Sequence, residues 1–223
     1  MPLTIAIDGP VGAGKSTISD EVAKRLGILH LDTGAMYRAV GVAVMENGID
    51  PRDEERVCRF CEEGNAVVDV RYENGAQITL LNGKDVSALI RTQEAGGAAS
   101  AVSRYVPVRK MLVKRQQEMA SQQPMLLDGR DICTVVLPNA QVKIFLTASP
   151  EARAQRRMEQ LREKGDQTPF EEILKEVNAR DLQDTTRALD PLRQAEDAHL
   201  VDSSHLTFEE TIQTILSLVE AKA

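Results

Sequence analysis

The stretch Gly9-Pro10-Val11-Gly12-Ala13-Gly14-Lys15-Ser16 limits most strongly what this chain can fold into. It fits G-x-x-x-x-G-K-[ST], a loop whose backbone curls until several N–H groups point at one anion. The flanks fit as well. Leu3-Thr4-Ile5-Ala6-Ile7 is the apolar run of a buried parallel strand. Beyond the loop and Thr17, the residues Ile18, Val22, Ala23 and Leu26 recur at helical spacing, and Gly27 is placed to stop the helix. Strand, glycine loop and helix together put the partial positive charge of a helix N-terminus at the anion. In such a loop Lys15 reaches the β- and γ-phosphates of a nucleotide and Ser16 holds Mg²⁺.

With 223 residues, the chain is long enough for one α/β domain carrying an insertion. The formal net charge is −7 and there is no long basic run, which argues against an extended polyanion such as nucleic acid as partner. Trp is absent and aromatics make up 3%, which argues against a base-stacking platform. A small anionic ligand needs only a few placed Arg and Lys, whatever the net charge. The N-terminus reads as a strand and not as a signal peptide, and no apolar stretch is long enough to span a membrane. Three cysteines do not make a disulfide framework. The expectation is a cytoplasmic protein, with a monomer as default. Cys58-Arg59-Phe60-Cys61 lacks further zinc ligands nearby and reads as part of an acid-flanked, solvated helix.

Along the chain, Ile28–Leu31 reads as a strand, and Asp32-Thr33-Gly34-Ala35-Met36-Tyr37-Arg38 leads into a helix ending near Gly48. That places a carboxylate, a hydroxyl and a cation at the sheet edge where open α/β folds bind ligands. The same residues also serve as a plain helix start, with Asp32 or Thr33 as cap. Val67–Tyr72 and Gln77–Leu81, with Asn74-Gly75 and Asn82-Gly83, predict an antiparallel meander. It interrupts the strand–helix alternation, so residues 63–102 read as a subdomain inserted into a core of 1–62 and 103–223. Leu89–Ala101 and Pro107–Gln122 read as helices, carrying Ser100 and Arg109.

Met125–Leu127 is a strand ending in Asp128-Gly129-Arg130-Asp131. An aspartate there, in a chain with a phosphate loop, is the expected magnesium-side carboxylate; an exposed charged turn is the plain alternative. After the strand Val142–Leu146, Ser149-Pro150-Glu151 signals a helix start. Arg153, Arg156 and Arg157 then share a face by spacing. Arg180, Asp184 and Arg187 share a stripe on a following helix, Phe170 to Thr185, if it extends that far. Both sets also fit a solvated face of Glu–Arg pairs. Gly165–Pro169 is placed as a hinge, making 151–169 a lid region. A last strand at His199–Val201 and an amphipathic helix at Thr207–Ala221 complete the pattern.

These blocks, in order over nearly the whole chain, resemble the bacterial cytidylate kinases, nucleoside monophosphate kinases of the phosphate-loop class. The resemblance rests on Ile5–Thr17, on Leu31–Arg38, on Ile90-Arg91-Thr92-Gln93-Glu94 and on Asp128–Asp131 with Thr134-Val135-Val136. Arg156-Arg157-Met158 and Arg180-Asp181 with Arg187 complete it. It implies a three-layer α/β fold with a parallel sheet of about five strands. The small β insert would bind the monophosphate, and the lid would be short and helical. It implies ATP as donor, Mg²⁺ as cofactor, and CMP or dCMP as acceptor. Carried over by position, Gly9 through Thr17 would hold ATP, and Ser16 and (through water) Asp128 would hold Mg²⁺. Ser100, Arg109 and Asp131 would hold cytosine, with Arg187 close by; Arg180 and Asp184 would hold the sugar. Arg38 and Arg130 would hold the acceptor phosphate, beside Thr33 and Tyr37. Lys15, Arg130, Arg153 and Arg157 would act on the transferring group. The family pattern has a glycine where this chain has Cys133. If that position takes positive φ, the cysteine is strained or the turn differs.

The chemistry agrees. Cytosine presents an N4 donor with N3 and O2 acceptors, which a carboxylate such as Asp131 and a cation such as Arg109 can answer. Uracil reverses the polarity and leaves buried groups unpaired. A phosphate nucleophile is already anionic at pH 7 and needs charge neutralisation more than a base, which fits a site without histidine; His30, His199 and His205 read as structural or surface residues. Two rivals remain: a kinase for another small acceptor, against which Ser100, Arg109 and Asp131 argue, and a nucleotide-dependent switch. A guanine-reading switch needs Asn-Lys-x-Asp, which the sequence lacks.

Overall fold

A computed structural model of the chain describes residues 2–163 and 165–222; residues 1 and 223, at the ends of the expected core, and residue 164, within the expected lid, lie outside it. The elements run β1 (Thr4–Asp8), α1 (Lys15–Leu26), β2 (Leu29–Asp32), α2 (Thr33–Glu46), α3 (Glu54–Glu62), β3 (Val68–Glu73), β4 (Ala76–Leu81) and β5 (Lys84–Asp85). They continue with α4 (Gln93–Val102), α5 (Val106–Gln122), β6 (Met125–Gly129), β7 (Val142–Thr147), α6 (Pro150–Glu163), α7 (Phe170–Thr186), β8 (His199–Asp202) and α8 (Phe208–Glu220). A five-stranded parallel sheet has the order β2-β6-β1-β7-β8, and a three-stranded antiparallel sheet the order β3-β4-β5. The expected α/β architecture is the observed one. Among the described residues no helix is long and apolar enough to cross a membrane.

The chain divides into two compact units, Leu29–Pro124 and Leu3–Ile28 joined to the chain from Met125 onward. In the latter, β1 lies between β6 and β7 and pairs in parallel with both, Asp8 standing opposite Gly129 and Phe145. The central strands are apolar on both faces because helices cover them. Ile5, Ile7, Leu126, Ile144 and Leu146 are fully buried with Ile18 and Val22 of α1 and Ile212 and Ile215 of α8. Each such side chain contributes about 1.5–3 kcal/mol. Helices α6 and α7 pack through Ala154, Met158, Ile173 and Val177.

In the unit Leu29–Pro124, β3 and β4 pair from Val68–Leu81 to Glu73–Ala76, and two Asn-Gly turns close the meander. Asn74 and Gly75 have φ of 52° and 81°, Asn82 and Gly83 49° and 77°, the double positive φ of type I′ turns. The meander is tied to β2 and α2 by side chains. Tyr72 donates its hydroxyl to the His30 carbonyl at 3.0 Å. The Gln77 amide accepts from Asp32 N at 2.8 Å and donates to the Asp32 carbonyl at 3.2 Å. Helices α2 and α4 approach closely at Gly41, where a Cβ would stand 2.8 Å from Ala98 Cβ.

Two expected helices differ at their ends. The single helix expected over 89–101 breaks at Thr92, whose hydroxyl accepts from Ala95 N at 3.1 Å and caps α4; Leu89–Arg91 is a short 3₁₀ turn. Helix α7 stops at Thr186 and Arg187 is extended (φ −61°, ψ 140°). Arg187 therefore leaves the helical stripe of Arg180 and Asp184.

Candidate active site

The glycine loop has a shape that other residues cannot take. Gly9 has φ 155°, and a Cβ there would fall 1.9 Å from the Leu146 carbonyl oxygen; Gly12 and Gly14 have φ of 77° and 84°. Lys15 opens α1 and is buried, its ammonium donating to the Gly9 and Pro10 carbonyls at 2.7 Å each. Burial, reinforced by the Arg130 cation, pulls its pKa down to about 7 against the pull of Asp128, Asp184 and Asp8. Ser16 donates its hydroxyl to the Asp128 carboxylate at 3.1 Å, and Asp128 is 3% exposed at the end of β6. A hydroxyl beside a carboxylate is a hard oxygen set suited to Mg²⁺, which takes few protein ligands and keeps water and phosphate for the rest. Among the described residues no cluster of three or more His, Cys, Asp or Glu could hold a metal unaided.

The turn after β6 gathers the next group. Arg130 Nε donates to Asp184 at 2.8 Å, and Arg187 donates to Asp131 at 3.3 Å, with both side chains of the latter pair under a tenth exposed. Burial disfavours the Arg130 charge, yet Asp184, Asp128 and Asp8 hold its pKa above the ordinary value. Ile132–Val136 form one π-helical turn, and the Asp8 carboxylate accepts from Ile132 N and Cys133 N at 2.8 Å each. Cys133 is not strained. The described non-glycine residues with positive φ are Asn74, Asn82 and Asp190. Its buried thiol points at the Ala6 and Ile144 carbonyls, 3.5 and 3.6 Å away, and burial raises its pKa.

The three arginines of α6 have different surroundings. Arg153 is 2% exposed; it pairs with Asp181 at 2.5 Å and donates to the carbonyls of Ala148 and, at 3.0 Å, Val11 of the loop. Arg156 donates to the Ser203 carbonyl at 2.5 Å. Arg157 is exposed. Helical spacing put them on one face, but α7 covers only part of it.

In the unit Leu29–Pro124, Asp32 is the N-cap of α2, accepting from Ala35 N at 3.1 Å, and Thr33 is buried in the first turn. Arg38 donates to the carbonyls of Ile90 and Thr92, both at 3.1 Å. Arg109 is 3% exposed, 3.4 Å from the Tyr37 hydroxyl and 3.5 Å from the Ser103 carbonyl. Ser100 is half-buried on α4, and its carbonyl accepts from the Ser103 hydroxyl at 3.1 Å. Thus Tyr37, Arg38 and Arg109 gather here, while Lys15, Ser16, Asp128, Arg130, Asp131, Asp184 and Arg187 gather in the other unit. The sequence reading did not single out Asp8, Gln77 or the Ile90 and Thr92 carbonyls. A charged residue closing an apolar strand was the one available signal for Asp8.

A family model described as cytidylate kinase matches residues 5–221. Cytidylate kinase of Caldicellulosiruptor saccharolyticus is 48% identical over 216 residues, covering 97% of this chain and 95% of its own. Cytidylate kinase of Thermosipho melanesiensis is 47% identical over 222 residues, covering 100% and 99%. Among solved structures, a gluconokinase from Sinorhizobium meliloti superposes with a TM-score of 0.50 at 14% identity, covering 99% of this chain and 94% of that one, a likeness of fold. A phosphate loop backed by Asp128, a charged turn at 129–131 and a full-length match thus converge, and the chain belongs to the cytidylate kinase family.

Proposed function

We propose that the chain transfers the γ-phosphoryl group of ATP to the α-phosphate of CMP and dCMP with Mg²⁺, in the cytoplasm and as a monomer. The observation that carries this reading is the Lys15–Ser16–Asp128 centre in the same compact unit as the Arg130–Asp131 turn. Gly9 through Thr17 hold the ATP phosphates, and Lys15 exchanges its two loop carbonyls for β- and γ-oxygens. Ser16 and Asp128 would hold Mg²⁺, which would supply charge neutralisation on the donor phosphates.

On the acceptor side, Arg38 and Arg130 hold the phosphate, with Thr33 and Tyr37 beside it. Asp131 accepts from the cytosine amino group, Arg109 and Ser100 serve its acceptors, and Arg187 steadies Asp131. Arg180 and Asp184 hold the sugar, so Asp184 is shared between Arg130 and the ribose. Residues 63–102 form the acceptor insert and 151–169 the lid. Of the proposed lid arginines, exposed Arg157 is the one to meet the transferring group, while Arg153 acts through the loop it supports. The nucleophile is a phosphate oxygen already ionised, so alignment and charge neutralisation carry the rate.

The test is ADP release from ATP and Mg²⁺ with CMP, dCMP, UMP, AMP, GMP and dTMP offered singly. Fast turnover with CMP and dCMP alone is expected. No turnover with any of them, alongside ATP binding, would move the reading to another small acceptor.

A further inference from the structure

Asp8 has no part in the roles above, yet it is fully buried and closes a strand whose other core residues are apolar. A carboxylate placed there works against the hydrophobic effect unless something answers it. What answers it lies about 125 residues away. Its two oxygens accept from the successive amides of Ile132 and Cys133, at 2.8 Å each. These amides open the π-helical turn Ile132–Val136, whose first carbonyl, that of Asp131, accepts from Val135 N and Val136 N at 2.9 and 3.2 Å. Amides at the start of such a turn have no partner within it, and a side chain from another strand supplies one here.

The placement follows from register. Asp8 stands opposite Gly129, so its side chain meets the chain just as it leaves β6. Residues 130 and 131 are thus pinned from both sides, by strand pairing at 129 and by the Asp8 carboxylate at 132–133. On its other side Asp8 is bonded directly to Gly9, the first residue of the phosphate loop. We propose that Asp8 is a positioning residue: its ionised carboxylate fixes the 130–133 turn against the phosphate loop, so that Arg130 and Asp131 are presented to the acceptor nucleotide. This rests on the acceptor roles proposed above for those two residues. Protonated Asp8 would offer one good acceptor and turn an O–H toward a backbone N–H. The charged and titratable groups around it are Asp131 and Cys133, with Lys15 and Arg130 also within its field.

The experiment compares Asp8→Asn with Asp131→Asn and wild type. The Asn amide keeps one acceptor and sets an NH₂ against the second backbone amide. Asp8→Asn is expected to raise KM for CMP about tenfold or more and to narrow the CMP-to-UMP preference, the loss of a hydrogen bond to a charged group. The dissociation constant for ATP, measured without acceptor, should stay within about threefold. An unchanged KM for CMP, or equal losses in ATP affinity and KM, would overturn the proposal in favour of general support of the loop. If Asp131→Asn also leaves KM and base preference untouched, the acceptor assignment itself fails and this proposal with it. A measurement on the wild type stands in if the variant does not fold. The Ile132 and Cys133 amide proton shifts and KM for CMP should titrate together, and amides that do not follow KM refute the link.

Discussion

Gly96→Ala tests whether the setting of Arg38 matters to the acceptor, because it can separate function from stability. Gly96 lies in the second turn of α4, buried, and a Cβ there would fall 3.1 Å from Arg38 Nη1 and 3.2 Å from Nη2. The guanidinium must retreat by a few tenths of an ångström to reach ordinary contact. It has no slack, since Nη1 already serves two carbonyls at 3.1 Å, those of Ile90 and Thr92. Each charged hydrogen bond is worth about 1.5–3 kcal/mol. Weakening the pair by roughly half of one bond gives about 1 kcal/mol, or about fivefold in KM for CMP. Against that, Ala is about 1 kcal/mol better than Gly inside a helix. The expected variant is as stable as wild type or slightly more so, with a higher KM for CMP and unchanged ATP affinity. Gly97→Ala is the control: Gly97 is exposed, with nothing within 4 Å of an added Cβ, so it gains the helix propensity alone. Coupled ADP assays and thermal unfolding of both variants decide it. Wild-type KM in Gly96→Ala, or an equal loss in Gly97→Ala, would refute the argument.

Other outcomes follow from the same geometry. Burial raises the Asp8 pKa from 3.8 to about 6, so the fold binds this proton more tightly than the unfolded chain does. Its ionisation therefore opposes folding above pH 6, and the penalty, about 3 kcal/mol, fades as the pH falls through 6 toward 4. Acceptor binding should run the other way and weaken below pH 6. Urea unfolding of wild type against Asp8→Asn, from pH 7 to 4, should show the wild type gaining on the variant; a constant difference would remove the carboxylate from this account. Lys15→Ala should abolish phosphoryl transfer with the fold intact by circular dichroism, and near-normal turnover would sink the phosphate-loop assignment. Asp131→Asn should erode the preference for CMP over UMP, since an amide can present a donor or an acceptor; unchanged selectivity would place base reading elsewhere.

What the sequence disclosed were features written in neighbouring residues. The loop glycines, the two Asn-Gly turns and the Ser149 cap, which accepts from Ala152 N at 3.1 Å, each depend on a handful of adjacent positions. What it concealed depends on distant partners. Spacing put Arg153 and Arg157 on one side of α6, but whether that side meets solvent is decided by α7, where Asp181 lies 28 positions on. Arg187 looked like a third member of a helical stripe until α7 ended one residue before it. The Ile90–Glu94 block reads as a run of side chains, whereas two of its backbone carbonyls grip Arg38. No spacing rule registers a carbonyl.

The phosphate loop is shaped from behind as much as from within. The Leu146 carbonyl closes the space over Gly9, Arg153 Cβ would stand 3.3 Å from a Cβ at Gly12, and the Arg153 guanidinium holds the Val11 carbonyl. Residues 9–14 are thus held in shape by contacts with the core. At about 1–2 kcal/mol per residue, this is an ordering entropy of about 6–12 kcal/mol that folding absorbs and binding need not. On the proposed reading, nucleotide capture is a matter of exchange, with phosphate oxygens replacing the two carbonyls on Lys15. Changes at Asp181, two contacts removed from the loop, would surface as lost donor affinity.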